Sequence, residues 1–391
     1  MKNKKIILLI LVVLSILLFT LFILFKVIND NSKDYKISKK KEIEVYSSVM
    51  LSDLVSIKNG TLIEDYKIDT TKIGKENVEF EYCINDEKYK GNFDIEIIDN
   101  VKPYASVSKI YTYVIGTNFN LEDVIFCGDN YTKNPKCSVM GEYDINKPNE
   151  YKLTYKVEDE SGNISEYPFT LKVVEENISS SQKNKLSFSE IKSRLPENAS
   201  LMIDVSKWQG EINWKKVKEN GINFAMIRLG TQIDIGKGSK IDSYFEKNIK
   251  EAKENDIKVG VYYFSYARDE KEAFEQALWV VDALKDYELD LPIAFDWECW
   301  SLFKEFNINF YELNLLANTF LEKIKDENYK TILYSSKNYL ENVWDLKHDI
   351  WLAHYTENTT YQGNKTMWQF TNVGEIPGIN GNVDVNFYYN K

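Results

Sequence analysis

Histidine is almost absent. Only His348 and His354 occur in 391 residues, which excludes His-rich zinc sites and the HExxH pair of metalloproteases. Cysteine is scarce as well. Cys83, Cys127, Cys137 and Cys299 lie too far apart for a CxxC zinc site. No GxxxxGKS/T or GxGxxG run occurs, so a phosphate-cradling nucleotide site is not indicated. Positive charge is outweighed: 49 Lys and Arg against 60 Asp and Glu leave a net charge of −11. That argues against a nucleic-acid partner, which would favour a basic face. No cofactor and no resident metal are expected. Within an ordinary globular composition, 43% hydrophobic and 28% charged, the chemistry left is that of carboxylates and aromatics.

One long hydrophobic run is present. Residues 6–25 are apolar but for Ser15 and Thr20 and carry no charge, with Lys2, Lys4 and Lys5 before them and Lys26 after. Twenty residues at helical rise span about 30 Å, the thickness of a bilayer core. The basic end is expected to stay in the cytoplasm and send the C-terminus out. A cleaved signal peptide has a shorter apolar region and a small-x-small site, and Val27-Ile28-Asn29-Asp30 offers none. Residues 1–29 therefore read as a cytoplasmic tip and an uncleaved single-pass transmembrane helix. The rest is extracytoplasmic, or secreted if the helix is removed. Outside the cell Cys127 and Cys137, ten apart in a polar stretch, could close a disulfide loop or stay reduced.

All eight tryptophans lie beyond residue 200, as do both histidines. That shift in composition divides the chain. Before it, the sequence repeats. Val78-Glu-Phe-Glu-Tyr-Cys-Ile-Asn-Asp86 resembles Tyr151-Lys-Leu-Thr-Tyr-Lys-Val-Glu-Asp159, and Phe93-Asp-Ile-Glu-Ile-Ile98 resembles Phe169-Thr-Leu-Lys-Val-Val174. Each block alternates apolar and polar residues, and a polar turn joins each pair (85–91 and 158–163). Two small all-β modules follow, over 30–101 and 102–176, similar in pattern to the immunoglobulin-like modules of bacterial surface proteins. They read as spacers that could also make cell-wall or protein contacts. Residues 177–200, with a Ser179-Ser180-Ser181 run, read as a linker with one short helix.

From 201 to 391 short apolar strands alternate with helical patterns. Strands are expected at 202–205, 224–229, 259–264, 293–297, 331–334, 350–353, 366–370 and 383–385. Helices are expected around Phe245–Ala252, with Asp242 as N-cap, Phe274–Leu284 and Leu313–Ile324. This order predicts an irregular, closed β/α (TIM-like) barrel with some helices missing, so that catalytic groups belong at the C-terminal strand ends. Asp204 ends the first strand. Asp296 and Glu298 end the fourth, two apart and so on one face. Asp384 lies in the last. Acids gathered in this way cannot all ionise cheaply, and a carboxyl kept protonated near neutrality can donate to a glycosidic oxygen. A D-x-E pair could instead hold a hard cation. Tyr262, Tyr263, Tyr334, Trp351, Tyr355 and Trp368 lie on or just after these strands. Aromatic faces are platforms for sugar rings. Tyr263, Tyr334, Trp351, Tyr355 and Trp368 are the candidates for substrate binding, with a core position as the alternative for each.

These residues carry a resemblance. Residues 201–391 resemble glycoside hydrolase family 25, the Chalaropsis-type lysozymes. The likeness runs through Ile203-Asp-Val-Ser-Lys-Trp-Gln-Gly210, Lys258-Val-Gly-Val-Tyr-Tyr-Phe264, Leu291-Pro-Ile-Ala-Phe-Asp-Trp-Glu298 and Pro377-Gly-Ile-Asn-Gly-Asn-Val-Asp-Val-Asn386, in order and spacing. It implies hydrolysis of the β-1,4 bond between N-acetylmuramic acid and N-acetylglucosamine in peptidoglycan. Glu298 would be the general acid, Asp296 the group that orients or stabilises the 2-acetamido substituent, and Asp204 and Asp384 the remaining acids. Arg228-Leu-Gly-Thr231 stands where many relatives carry a run ending Glu-Gly, His354 stands where a Gln is common, and Cys299-Trp300 follows the acid pair. A non-hydrolytic peptidoglycan-binding protein or an adhesin is the alternative function.

Overall fold

The structure, a computed structural model, describes residues 34–38, 41–117, 120–176 and 185–389, and Thr20. Apart from Thr20, the apolar run at 6–25 lies outside the described residues, and so does the anchor expected there. Among the described residues, no helix is long and apolar enough to cross a membrane. The chain divides after Asn100 into two compact units.

The first unit is a β module. Strands Gly74–Ile84 and Glu87–Ile98 pair antiparallel from Ile84↔Glu87 to Gly74↔Ile97. Only Asn85 and Asp86 turn between them, both at positive φ, as a two-residue hairpin turn that follows strand twist requires. The polar run 87–91, expected as turn, is therefore strand. Short side chains and amides tolerate the left-handed region, so the chain reverses at the first position able to do so. Val78, Phe80 and Tyr82 face Phe93, Ile95 and Ile97 in the core. Glu42–Glu44 adds parallel to one edge and Thr61–Leu62 antiparallel to the other, while Tyr35–Ile37 pairs with Val55–Ile57.

The second unit opens with a module of the same topology. Asn149–Glu158 and Ile164–Val174 form the long hairpin. Ile110–Val114 is its parallel edge, Lys136–Met140 its antiparallel edge, and Tyr104–Ser106 pairs with Phe126–Gly128. Leu153, Tyr155, Val157, Phe169, Leu171 and Val173 fill its core at the repeat's spacing. Cys127 and Cys137 are joined in a disulfide.

The remainder is the barrel. Its strands are β1 (Ser200–Val205), β2 (Phe224–Gln232), β3 (Lys258–Ser265), β4 (Ile293–Trp297), β5 (Thr331–Ser336), β6 (Ile350–Ala353), β7 (Met367–Gly374) and β8 (Val383–Tyr388). They run β1-β8-β7-β6-β5-β4-β3-β2, and β2 returns to β1 to close the ring. β8 is antiparallel to both neighbours. No helix separates it from β7, and a short connection can only return the chain antiparallel.

Alternation sorts each strand into two faces. Met202, Met226, Ala294, Ile332, Trp351 and Met367 fill the lumen. Ile203, Ile227, Phe295, Leu333, Leu352 and Val385 face the helix layer. At the lumen's floor Gly260 leaves no room for a side chain, since a Cβ there would stand 2.7 Å from Leu291 Cβ. The long helices Glu270–Leu284 and Phe310–Asp326 pack on the outer face. The N-cap of Phe245–Glu254 is Tyr244 rather than Asp242; the Asp242 carboxylate accepts from Tyr244 N, just ahead of the helix, and pairs with Arg228. The described part of the expected linker also belongs to the barrel. Leu186 bridges to Gly374, and Ile191 of helix Phe188–Ser193 is fully buried in the barrel's outer core.

Candidate active site

Lumen parity brings Asp204 (β1), Asp296 (β4) and Asp384 (β8) to the C-terminal mouth of the barrel. Glu298 joins them one residue beyond the end of β4, and all four line one groove. Asp204 and Asp296 are buried, Asp384 is half-buried, and Glu298 opens to the groove.

Asp204 is held by amides. Asn386 Nδ2 donates to its Oδ2 at 2.7 Å and Gln369 Nε2 donates to the same oxygen at 3.0 Å. Each amide is itself oriented. Trp351 Nε1 donates to Asn386 Oδ1 at 2.7 Å. The Tyr334 and Tyr355 hydroxyls both donate to Gln369 Oε1 at 2.9 Å. Hydrogen bonds that arrive at a carboxylate favour its charged form, and burial opposes it. Here burial prevails and lifts Asp204 to about 6, against the pull of Asn386 and Gln369.

The other acids move the same way. Burial, then the charges of Glu298 and Asp204, raise Asp296 well above the usual range, while Arg228 pulls it down. Burial and the Asp204 charge raise Glu298. Burial, Asp204 and Glu298 lift Asp384 to about 8. The cluster therefore retains protons near neutrality, and Glu298 is the member that meets a bound ligand most openly. Asp296 Oδ1 is buried in the groove without a hydrogen-bond partner among the described residues.

Of the aromatic candidates, Tyr334, Trp351 and Tyr355 line the groove. Tyr263 and Trp368 do not. Tyr263 is fully buried among the helices, against Trp279 and Phe320, with its hydroxyl bonded to Ser239. Trp368 meets the rings of Phe370 and Phe387 edge to face, and its Nε1 donates to His354 O. Both sit on the outward parity of their strands, so they serve the core. Tyr262, one residue from Tyr263, points inward to the groove instead.

The sequence reading also passed over several lining residues. Trp208 stands on the turn after β1, 76% exposed, and overhangs the groove with Lys207 against its ring. Gln369 declares itself as a polar residue within the apolar first half of β7, Met367–Phe370. Arg228 lines the groove from β2. Its Nε and Nη2 both meet Asp242 Oδ2, at 2.7 and 2.5 Å, and that carboxylate also caps Tyr244 N.

Residues 203–379 match the sequence profile of glycosyl hydrolases family 25. YegX, an uncharacterized protein of Escherichia coli K12, is 28% identical over 208 residues, which are 50% of this chain and 72% of that one. Lysozyme M1 of Streptomyces globisporus is 27% identical over 205 residues, 47% of this chain and 66% of its own. Among solved structures, the modular autolysin LytC of Streptococcus pneumoniae in complex with a synthetic peptidoglycan ligand is 27% identical with a TM-score of 0.43. It matches 60% of this chain, and the chain spans only 56% of the autolysin's length.

Proposed function

From a C-terminal half that carries a lysozyme-like domain of glycosyl hydrolase family 25, we propose that the protein is an extracytoplasmic muramidase. It would cleave the β-1,4 bond between N-acetylmuramic acid and N-acetylglucosamine in peptidoglycan, held at the membrane by residues 6–25. The β modules are taken as immunoglobulin-like. The observation that carries the reading is the groove of four carboxyls with raised proton affinity, ringed by aromatic side chains.

Glu298 hands its proton to the glycosidic oxygen as the C–O bond breaks. A water molecule then supplies hydroxyl to the sugar carbon and returns a proton to Glu298. Asp204, steadied by Gln369 and Asn386, faces the positive charge that grows on the sugar ring. Asp296 Oδ1, buried and without a hydrogen-bond partner among the described residues, suits the N–H of the 2-acetamido group. Trp208 and Tyr355, both exposed at the rim, offer faces to neighbouring sugars.

Mass analysis of digested peptidoglycan tests this. Reducing ends that bear muramic acid are expected. Ends that bear glucosamine would make the enzyme a glucosaminidase, and binding without turnover would leave the non-hydrolytic reading.

A further inference from the structure

The second β module was expected to be a spacer. It also packs directly on the barrel. Phe126 leaves the edge of that module and enters a cage of barrel aromatics. Its ring lies 5.2 Å from Trp300, 5.2 Å from Phe303 and 5.4 Å from Tyr339, each edge to face, and stacks with Phe310 at 6.1 Å. Trp300 stacks flat on Tyr339 with ring centroids 3.5 Å apart, and meets Trp297 of β4 at 5.0 Å. Trp297 and Trp300 bracket Glu298. The residue that would donate the proton thus stands on a segment whose far side is packed by another module.

Backbone groups complete the joint. The first turn of a helix has N–H groups with no partner inside the helix. Here Phe310 N, at the start of helix Phe310–Asp326, donates to Asp129 O of the module at 2.8 Å. The adjoining N-cap residue reaches the same way, Asn309 Nδ2 to Tyr131 O at 2.8 Å. Gly128 lies between these contacts, and a Cβ there would come within 2.5 Å of the Phe310 ring. The backbones approach closely because that position has no side chain. Lys133 and Glu312 close the exposed rim at 2.6 Å.

We infer that the second β module is a structural part of the catalytic domain, with Phe126 as the positioning residue that fixes the segment 298–306. The inference rests on the muramidase reading. Phe126 touches no substrate and acts through Trp300. A catalytic group displaced by about 1 Å can lose up to a hundredfold in rate. Displacement would also carry Glu298 away from the negative charge of Asp204, which helps to raise it.

The test compares the full-length protein with Phe126→Ala, Phe126→Leu and Lys133→Ala on purified peptidoglycan. Amide hydrogen exchange is followed over 298–306. For Phe126→Ala the expected result is a kcat lowered by roughly tenfold to a hundredfold with KM little changed. The alkaline limb of its rate profile should move to lower pH, and exchange over 298–306 should quicken. Phe126→Leu, which keeps apolar bulk, should recover part of each effect. Lys133→Ala, at the solvated rim, should match the wild type. An unchanged kcat with unchanged exchange in Phe126→Ala overturns the inference, as does a loss confined to KM. If Phe126→Ala does not fold, the same readings on Phe126→Leu decide. Wild-type protein that never turns over peptidoglycan sinks the muramidase reading instead, and the exchange measurement alone then decides whether the module holds the segment.

Discussion

Asn386 Nδ2 donates to Asp204 Oδ2 across 2.7 Å, tying the last strand of the barrel to the acid near the end of the first. The same side chain accepts from Trp351 Nε1. Asn386→Leu removes a donor and an acceptor at once. A buried polar group left without its partner costs about 1–3 kcal/mol, so a denaturant melt should show a loss of at least that size. Asp204 should rise above its value of about 6, because one of the two bonds that hold it down is gone. A pH–rate profile with its acidic limb unmoved would show that Asn386 does not tune this acid.

Glu298→Gln preserves shape and removes the proton. Hydrolysis should fall to background while binding to purified peptidoglycan persists, since the groove's other walls are untouched. Dye release from labelled cell wall, paired with a sedimentation binding assay, measures both. Near-normal turnover would move the acid's role to another member of the cluster.

Stability should depend on pH in an unusual direction. Acids whose affinity for protons is raised by folding bind more protons folded than unfolded, so stability falls as pH rises through that window. For Asp204 the window runs from 3.8 to about 6, and for Asp384 from 3.8 to about 8. The melting temperature of the barrel should therefore decline from mildly acid to mildly alkaline pH. Asp384→Asn has no carboxyl to titrate and should decline less between pH 6 and 8. Parallel pH curves for the two proteins would contradict the assignment.

Much of this was legible in the sequence because the repeat and the strands leave strong local signals. Strands Ile293–Trp297 and Ile350–Ala353 have the limits that the apolar runs suggest. Which face a residue takes was harder. Parallel strands buried on both sides are apolar throughout, so nothing in Val259–Phe264 distinguishes the inward Tyr262 from the outward Tyr263. On β7 a marker existed: Gln369 points inward, which turns Trp368 outward. Trp208 lies on a turn with no periodicity to place it. The docking of the second module left no local trace, since Phe126 and Trp300 are far apart in sequence and each reads alone as ordinary core.

Arg228 offers the most demanding test of the groove's electrostatics. Its guanidinium and the Asp242 carboxylate have side chains 12% and 1% exposed, so the pair is out of water. Arg228→Met leaves Asp242 charged, buried and without its cation, at a cost of about 3–5 kcal/mol. Adding Asp242→Asn removes that charge while its carbonyl can still accept from Tyr244 N, and most of the stability should return. Catalysis should not return with it. Arg228 also pulls Asp296 down against burial and the charges of Glu298 and Asp204, and the double variant still lacks that pull. Asp296 should then hold its proton to higher pH, and the rate profile should shift upward in pH in both variants. A double variant with both wild-type stability and a wild-type profile would reduce Arg228 to a structural partner of Asp242.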